Sequence, residues 1–158
     1  MNRVIFVLVL VFFAACGQVP EPHVQGSWIK GSEQEKLGAV ERQFRGFDMA
    51  MVETGYRYQE LYWAGYDQNW DYALYQVGKI RKAIKNGLER RPKRAKSAEF
   101  FLEVALPDME KVVLKKDSTL FYSGFEVFTN GCNSCHGLEK VPHFAVKKPL
   151  FRPSPIRK

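Results

Sequence analysis

The sequence predicts an all-α fold, an antiparallel up-down-up-down four-helix bundle with a Cys-x-x-Cys-His motif on its last helix. Three observations support this fold class. Apolar residues recur at helical spacings, strand signals are sparse, and the connections are short enough to favour antiparallel neighbours. The 158 residues divide into a signal peptide (1–15), a flexible tether (16–32), a domain of four helices that carries the motif (33–143) and a basic, proline-containing tail (144–158).

The first two helices are predicted over about residues 44–64 and 70–89. The apolar seam of the first recurs at alternating spacings of three and four residues and comprises Phe44, Phe47, Met51, Thr54, Tyr58 and Leu61. Asn69 is the expected N-cap of the second helix. Its buried stripe is predicted to contain Trp70, Ala73, Leu74, Val77, Ile80, Ile84 and Leu88.

The third helix is predicted over about residues 96–114. The fourth is predicted from Asp117 or Ser118, either of which can act as its N-cap, to the Cys-x-x-Cys-His motif. Pro107 should kink or split the third helix, because proline removes a backbone donor. The predicted inward face of the fourth helix comprises Leu120, Gly124, Val127, Phe128, Gly131 and Cys135. The Cys-x-x-Cys-His motif therefore falls in its last turns.

The segment Cys132-Asn133-Ser134-Cys135-His136 has the spacing of the c-type haem attachment motif. Each thiol can form a thioether with a haem vinyl group, and the imidazole of His136 can bind the iron from the proximal side. On a helix, the two cysteines and the histidine lie on one face. The sequence thus predicts one covalent haem c per chain, attached through Cys132 and Cys135 and ligated by His136.

Other interpretations of the motif fit the sequence less well. Those that bind a metal need more ligands than the chain offers, since it has three cysteines. A structural zinc site normally needs four Cys or His ligands, and only His143 lies nearby. An iron–sulfur cluster usually needs four thiolates, and a thioredoxin-like pair belongs beside a βαβ pattern. A chance occurrence of the motif is the plain alternative.

The bundle topology also indicates a distal ligand. It places the end of the fourth helix beside the start of the first, the end of the second and the start of the third. Met51 lies about two turns into the first helix and is the candidate distal ligand, whereas Met49 should point away and Met109 lies toward the opposite end. Met51 as a filler of the core is the alternative. Tyr58 either flanks the distal pocket or simply adds core area.

The N-terminal residues have the features of an export signal. Arg3 is followed by an uninterrupted apolar stretch of twelve residues ending at Ala15, too short for a bilayer span of about 20 residues. Residues 13–17 are similar to a bacterial lipobox, with Phe at its first position. We expect Cys16 to be the lipidated first residue of a mature protein on the periplasmic or cell-envelope side of a bacterial membrane. An ordinary signal peptide with an incidental cysteine is the alternative.

The chain is basic, with a formal net charge of +7, or +6 without residues 1–15. Cations between Lys79 and Lys96, and others in the tail, are expected at the haem-bearing end. There they could neutralise haem propionates and steer an acidic redox partner protein, although a solvated helix face is the alternative. Nucleic acid is not an expected partner of an exported lipoprotein.

Three segments of the chain carry a family resemblance that extends over about residues 45–150. Leu61-Tyr62-Trp63-Ala64-Gly65, Asn69-Trp70-Asp71-Tyr72-Ala73 and Gly131 to His136 together resemble a group of small bacterial monohaem c-type cytochromes. The C-terminal motif also resembles that of cytochrome c-prime, a four-helix bundle. The resemblance implies a covalent haem c at the two motif cysteines with the motif histidine proximal. Related chains often have a histidine where this one has Tyr58.

The expected function is therefore one-electron transfer by an exported monohaem cytochrome. A gas-binding or gas-sensing haem protein with an open distal site is the alternative. We do not expect an enzyme, because no distal His/Arg pair, general acid–base pair or nucleophile triad stands out in the sequence.

Overall fold

The computed structural model of the protein describes residues 28–156, and all regular structure among them is helical. The helices are α1 (Glu33–Phe44), α2 (Phe47–Tyr66), α3 (Trp70–Arg90), α4 (Ala95–Phe100), α5 (Leu106–Leu114) and α6 (Ser118–Leu138). A π-helical turn, Phe101–Ala105, joins α4 and α5 into one rod, and a short 3-10 turn, Pro92–Arg94, precedes it. Helices α2, α3, the α4–α5 rod and α6 occupy the four predicted helical segments, so the all-α prediction is confirmed in an arrangement compatible with a helical bundle.

Helix α1 was not expected from the apolar pattern, and a capping box explains why it forms. The Ser32 hydroxyl accepts a hydrogen bond from the Glu35 amide at 3.3 Å, and the Glu35 carboxylate accepts one from the Ser32 amide at 2.7 Å. The helix ends where Arg45 takes a φ of 57°. Phe44 belongs to this helix and is 60% exposed, so its predicted place on the apolar seam of the next helix is wrong.

The predicted N-caps are confirmed. The Asn69 side chain accepts a hydrogen bond from the Tyr72 amide at 3.3 Å, at the start of α3. The Asp117 carboxylate accepts one from the Leu120 amide at 2.8 Å, at the start of α6. Each cap satisfies one backbone donor that the first helical turn leaves without a partner.

The end of α6 turns the chain back toward the bundle. Lys140 has a φ of 61°, its amide donates to the Gly137 carbonyl at 3.0 Å, and the Val141 amide donates to the His136 carbonyl at 2.9 Å. These two bonds form a Schellman motif, which satisfies the last carbonyls of the helix. The following residues can therefore run back along α6.

The α-helical hydrogen-bond pattern of the third segment is interrupted next to Pro107, as predicted, although the rod continues. The π-helical turn lies just before it, and there the Leu106 amide bonds to the Phe101 carbonyl, five residues earlier. The wider turn rearranges the backbone next to a residue that has no N–H to donate. Phe101 lies at the start of this turn and is buried in the core.

Three phenylalanines form the inward face of α6: Phe121, Phe125 and Phe128. The Phe125 ring lies 4.8 Å from that of Tyr58 on α2, and the Phe128 ring 5.2 Å from that of Phe101. Leu120 and Val127 are 48% and 64% exposed, so their predicted inward positions are wrong. The buried face of α6 is rotated from the predicted one, because the phenylalanine rings bury more apolar area than the aliphatic side chains beside them.

Two glycines show which helix ends meet. A Cβ at Gly65, near the end of α2, would lie 2.1 Å from Phe121, near the start of α6. A Cβ at Gly87, near the end of α3, would lie 2.7 Å from Ala50, near the start of α2. The end of α3 and the start of α2 therefore approach each other closely.

Several expectations concern the N-terminal segments. The signal peptide, most of the tether and Cys16 lie outside the described residues. Within residues 28–156, no helix is both long enough and apolar enough to cross a bilayer.

Candidate haem site

A pocket with a cavity volume of about 110 Å³ opens between α2, α3, α4 and α6. The lining is almost entirely apolar and comprises Phe47, Met51, Thr54, Gly55, Tyr58, Ile84, Ala98, Phe101, Cys132, Cys135, His136 and Val146. The structure thus brings together Cys132, Cys135, His136 and Met51, all from the sequence-predicted site.

The two motif cysteines are half-buried in the pocket wall. Burial raises the pKa of the Cys132 thiol to about 12, and neighbouring Cys135 adds to the effect. Burial also raises the pKa of Cys135, and the Glu139 carboxylate nearby contributes. The pocket wall therefore presents neutral sulfur atoms to an apolar space.

His136 has a fixed ring orientation. Its Nδ1 atom lies 2.6 Å from the Phe144 carbonyl oxygen. A carbonyl can only accept, so Nδ1 carries the proton and the lone pair is left on Nε2. Metal-ligating histidines typically donate their second ring N–H to a backbone carbonyl in this way, which fixes both the tautomer and the ring orientation.

Residues 144–156, here called the C-terminal strap, pack against the helices. Near its beginning, the strap backbone is bonded to Asn133 and His136 of α6. Near its end, the Phe151 carbonyl accepts a hydrogen bond from the Trp63 indole at 3.2 Å. The described part of the tail therefore connects α6 to α2.

Arg152 anchors the far end of the strap on α2. Its guanidinium lies 2.8 Å from the Asp67 carboxylate, donates to the Trp63 carbonyl at 2.9 Å and lies 4.9 Å from the centre of the Trp63 ring. The Arg152 and Asp67 side chains are only 12% and 18% exposed. Limited exposure makes this ion pair more significant than a fully solvated one.

The three methionines considered in the sequence have different environments. Met51 is half-buried and lines the pocket with His136. Met49 is 38% exposed and lies on a different face of α2, as expected, and Met109 is 1% exposed in the core and does not line the pocket. Iron ligation by Met51 stays a prediction.

Tyr58 adds core area, as one of the two interpretations expected, and flanking a distal haem pocket stays a prediction. It lines the pocket, and it is also a core residue that is 5% exposed. Its hydroxyl is hydrogen-bonded to that of Thr129 at 2.8 Å, and burial raises the pKa of the phenol to about 12. The side chain is therefore neutral at physiological pH.

The α2 wall of the pocket leaves open space. A Cβ built on Gly55 would meet nothing within 4 Å. One residue earlier, the Thr54 hydroxyl oxygen is buried and has no hydrogen-bond partner. The α2 wall of the pocket is therefore open at Gly55 and carries one buried hydroxyl without a partner.

Within residues 28–156, no three His, Cys, Asp or Glu side chains are grouped so that they could hold a metal ion by themselves. A haem brings four nitrogen ligands to its iron and needs only axial ligands from the protein. One histidine with a free Nε2, two thiols and an apolar pocket therefore fit a haem c.

The basic residues between Lys79 and Lys96, here called the basic run, lie only partly at the rim of the pocket. The Arg94 guanidinium lies 5.6 Å from the centre of the Phe47 ring, which lines the pocket, and it also forms an ion pair with Glu139. Arg81 instead pairs with Glu110. The α4 end of the run is thus closest to the pocket, and part of its charge is already neutralised.

Sequence reasoning missed the residues that support the site: Asn133, Phe144 and Val146. The capping-box and motif spacings are local signals, whereas the strap is recognised only when its partners on α6 are known.

Comparisons of the chain with protein-family models, curated proteins and solved structures found no match.

Proposed function

We propose that the protein is an exported, lipid-anchored monohaem cytochrome c that transfers single electrons, built as an antiparallel up-down-up-down bundle. The observation that carries the proposal is one apolar pocket that contains both motif cysteines, a histidine with a fixed tautomer and a methionine. The motif spacing names the cofactor class, and the pocket brings the motif and Met51 to one apolar surface.

The residues of the chain have distinct roles in this proposal. Cys132 and Cys135 form the two thioether bonds, and His136 binds iron through Nε2. When bound, haem supplies a one-electron Fe(III)/Fe(II) couple. The apolar walls exclude water, which limits solvent reorganisation when the charge of the site changes by one unit.

Met51 is the proposed distal ligand, because it lines the same pocket as His136. Together they would give His/Met ligation, which raises the reduction potential of a haem. A six-coordinate haem changes little in structure between its two oxidation states, which suits an electron carrier better than a catalyst.

The proposed location and partner come from the sequence. Lipidated Cys16 would hold the protein at the cell-envelope side of a bacterial membrane. Cations of the α3–α4 region and of the strap would attract an acidic redox partner. The resemblance to small monohaem cytochromes bears only on the haem, which it implies is held by Cys132, Cys135 and His136.

Gas binding is the second candidate function, and the α2 wall favours it. Gly55 faces open space, and the buried Thr54 hydroxyl could donate a hydrogen bond to a small ligand. If Met51 only packs, the distal side would be open to carbon monoxide or nitric oxide.

Covalent haem is the first thing to measure. The mature chain should retain a haem stain after denaturing electrophoresis and gain the mass of one haem, and Cys132→Ser with Cys135→Ser should abolish both. Ser134→Ala is the matched control, because Ser134 lies inside the motif and is exposed. A wild-type chain that is exported and carries no covalent haem would overturn the proposal.

Carbon monoxide binding separates the two functions. With Met51 on the iron, the ferrous protein should bind carbon monoxide slowly, and Met51→Ala should make binding much faster. Rapid uptake by the wild type that Met51→Ala leaves unchanged would replace the electron carrier with the gas-binding protein.

A further inference from the structure

Asn133, the first variable residue of the motif, bonds to both backbone groups of a single strap residue. Its Nδ2 donates to the Val146 carbonyl at 3.0 Å, and its Oδ1 accepts from the Val146 amide at 2.7 Å. A carboxamide has one donor group and one acceptor side by side, so it can pair with a peptide as another backbone would. Thirteen residues separate the two partners in sequence.

The same stretch of the strap holds the ring of His136. The Phe144 carbonyl, two residues before Val146, accepts from His136 Nδ1. Asn133 and His136 are i,i+3 neighbours and lie on the same side of α6. The strap is therefore held at two adjacent points, by an amide at one and by the imidazole at the other.

We propose that Asn133 is a positioning residue for His136, acting through the strap. By fixing Val146, it holds the Phe144 carbonyl against Nδ1 and so keeps Nε2 directed to the pocket. It also keeps the Val146 side chain in the pocket wall. The inference deepens the proposed function and rests on it, because the orientation of the ring matters most when Nε2 is an iron ligand.

The local surroundings explain why a bond from a side chain is needed here. The strap has no regular secondary structure, so its backbone groups gain no partners from a helix or sheet. The turn at Lys140 reverses the chain after α6, and the Phe144 amide donates to the Val141 carbonyl at 3.0 Å. Beyond Phe144, this turn fixes no residue of the strap. Asn133 supplies the next fixed point along the strap.

The test compares Asn133→Ala, Asn133→Asp and Ser134→Ala in the full mature chain. Each protein is labelled with ¹⁵N and kept under reducing conditions. Alanine removes both bonds to Val146, aspartate keeps only the acceptor, and Ser134→Ala changes the neighbouring exposed residue of the motif. Hydrogen exchange of the Val146 amide reports on the strap. Exchange of the His136 ring proton and the ¹⁵N shifts of the ring report on the imidazole, with or without iron.

We expect exchange of both protons to be about thirtyfold faster in Asn133→Ala, since two hydrogen bonds at about 1 kcal/mol each correspond to that factor. Asn133→Asp should show about a fivefold increase, from the loss of one bond. Ser134→Ala should match the wild type. In the haem-loaded protein, the reduction potential of Asn133→Ala should lie above that of Ser134→Ala, because a weaker Nδ1–H···O bond makes the imidazole a poorer electron donor.

Two results would overturn the inference. Faster exchange at Val146 with an unchanged His136 ring proton would limit Asn133 to holding the strap, and no change at either proton would remove its role altogether. Should Asn133→Ala fail to fold, Asn133→Asp gives the same comparison, and far-UV circular dichroism shows whether the helices persist. Mass spectrometry of each sample tests covalent haem separately, so loss of the proposed function leaves the ring-proton result interpretable.

Discussion

The first half of helix α2 and its C-terminal end have different surfaces, here called the open end and the packed end, and two glycines show the contrast. At Gly65 a Cβ would lie 2.1 Å from the Phe121 ring, whereas at Gly55 it would meet nothing within 4 Å. Ten residues, or about 15 Å along the helix, separate them. One glycine allows two helices to touch, and the other leaves space for something that is not protein.

The side chains around each glycine differ in the same way. Near Gly65, the Phe121 ring packs 5.9 Å from that of Trp70 and is fully buried. Near Gly55, the pocket holds half-buried Met51, and the Thr54 hydroxyl lacks a partner. The packed end is thus filled by aromatic rings, and the pocket lies at the open end.

The methionines give the largest test of this contrast. Met109→Ala should lower the free energy of unfolding by about 2–5 kcal/mol, because it leaves a cavity in the closed core. Met51→Ala should lower it less, since its side chain is already half-exposed to the pocket, but it alone should change the optical spectrum of the haem. Chemical denaturation and absorption spectroscopy measure the two effects. Equal loss of stability in both variants would contradict the division into a packed end and an open end.

The glycines themselves give the next test. Gly65→Ala should lower the free energy of unfolding by about 1–3 kcal/mol, because the Phe121 ring or the α2 backbone must move. Gly55→Ala should leave the stability of the haem-free chain unchanged or raise it by about 0.5–1 kcal/mol, the helix preference for alanine. Thermal and urea unfolding of the pair would show the difference, and similar values for both variants would count against it.

Arg152 tests the strap, which spans from the open end to the packed end. Arg152→Ala removes a largely buried ion pair with Asp67 and a bond to the Trp63 carbonyl. We expect a loss of about 1–2 kcal/mol, seen as faster amide exchange in the strap rather than as unfolding of the helices. Lys148→Ala, an exposed position in the same strap, is the control. Unchanged exchange in Arg152→Ala would show that the anchor is dispensable.

Local signals in the sequence account for the features that were predicted correctly. Asn69, Asp117 and Pro107 act through backbone groups within a few residues, so the caps and the break in the third segment could be inferred directly. The Ser32 to Glu35 capping box is equally local and was available as a signal for α1. The errors at Leu120 and Val127 arose because several apolar residues on α6 compete for one face, and only the packed neighbours decide which are buried.

The site required tertiary information. From the short connections we expected Met51 and His136 at one end of a bundle, and both side chains line the same pocket. The partner of His136 Nδ1 was not predictable, because it is a backbone carbonyl eight residues away whose position depends on Asn133 and on the turn at Lys140. Backbone acceptors leave no trace in residue identity, so Phe144 gave no signal.

The length of the loop that the strap closes affects the order of folding. Contacts of Trp63 with Phe151 and Arg152 join residues 88 and 89 positions apart. Loop-closure entropy opposes such distant contacts until the intervening helices have formed, so we expect this end of the strap to dock last. The Val146 end has its partners only 8 to 13 positions away on α6, so the wall that it adds to the pocket can form before the strap reaches α2.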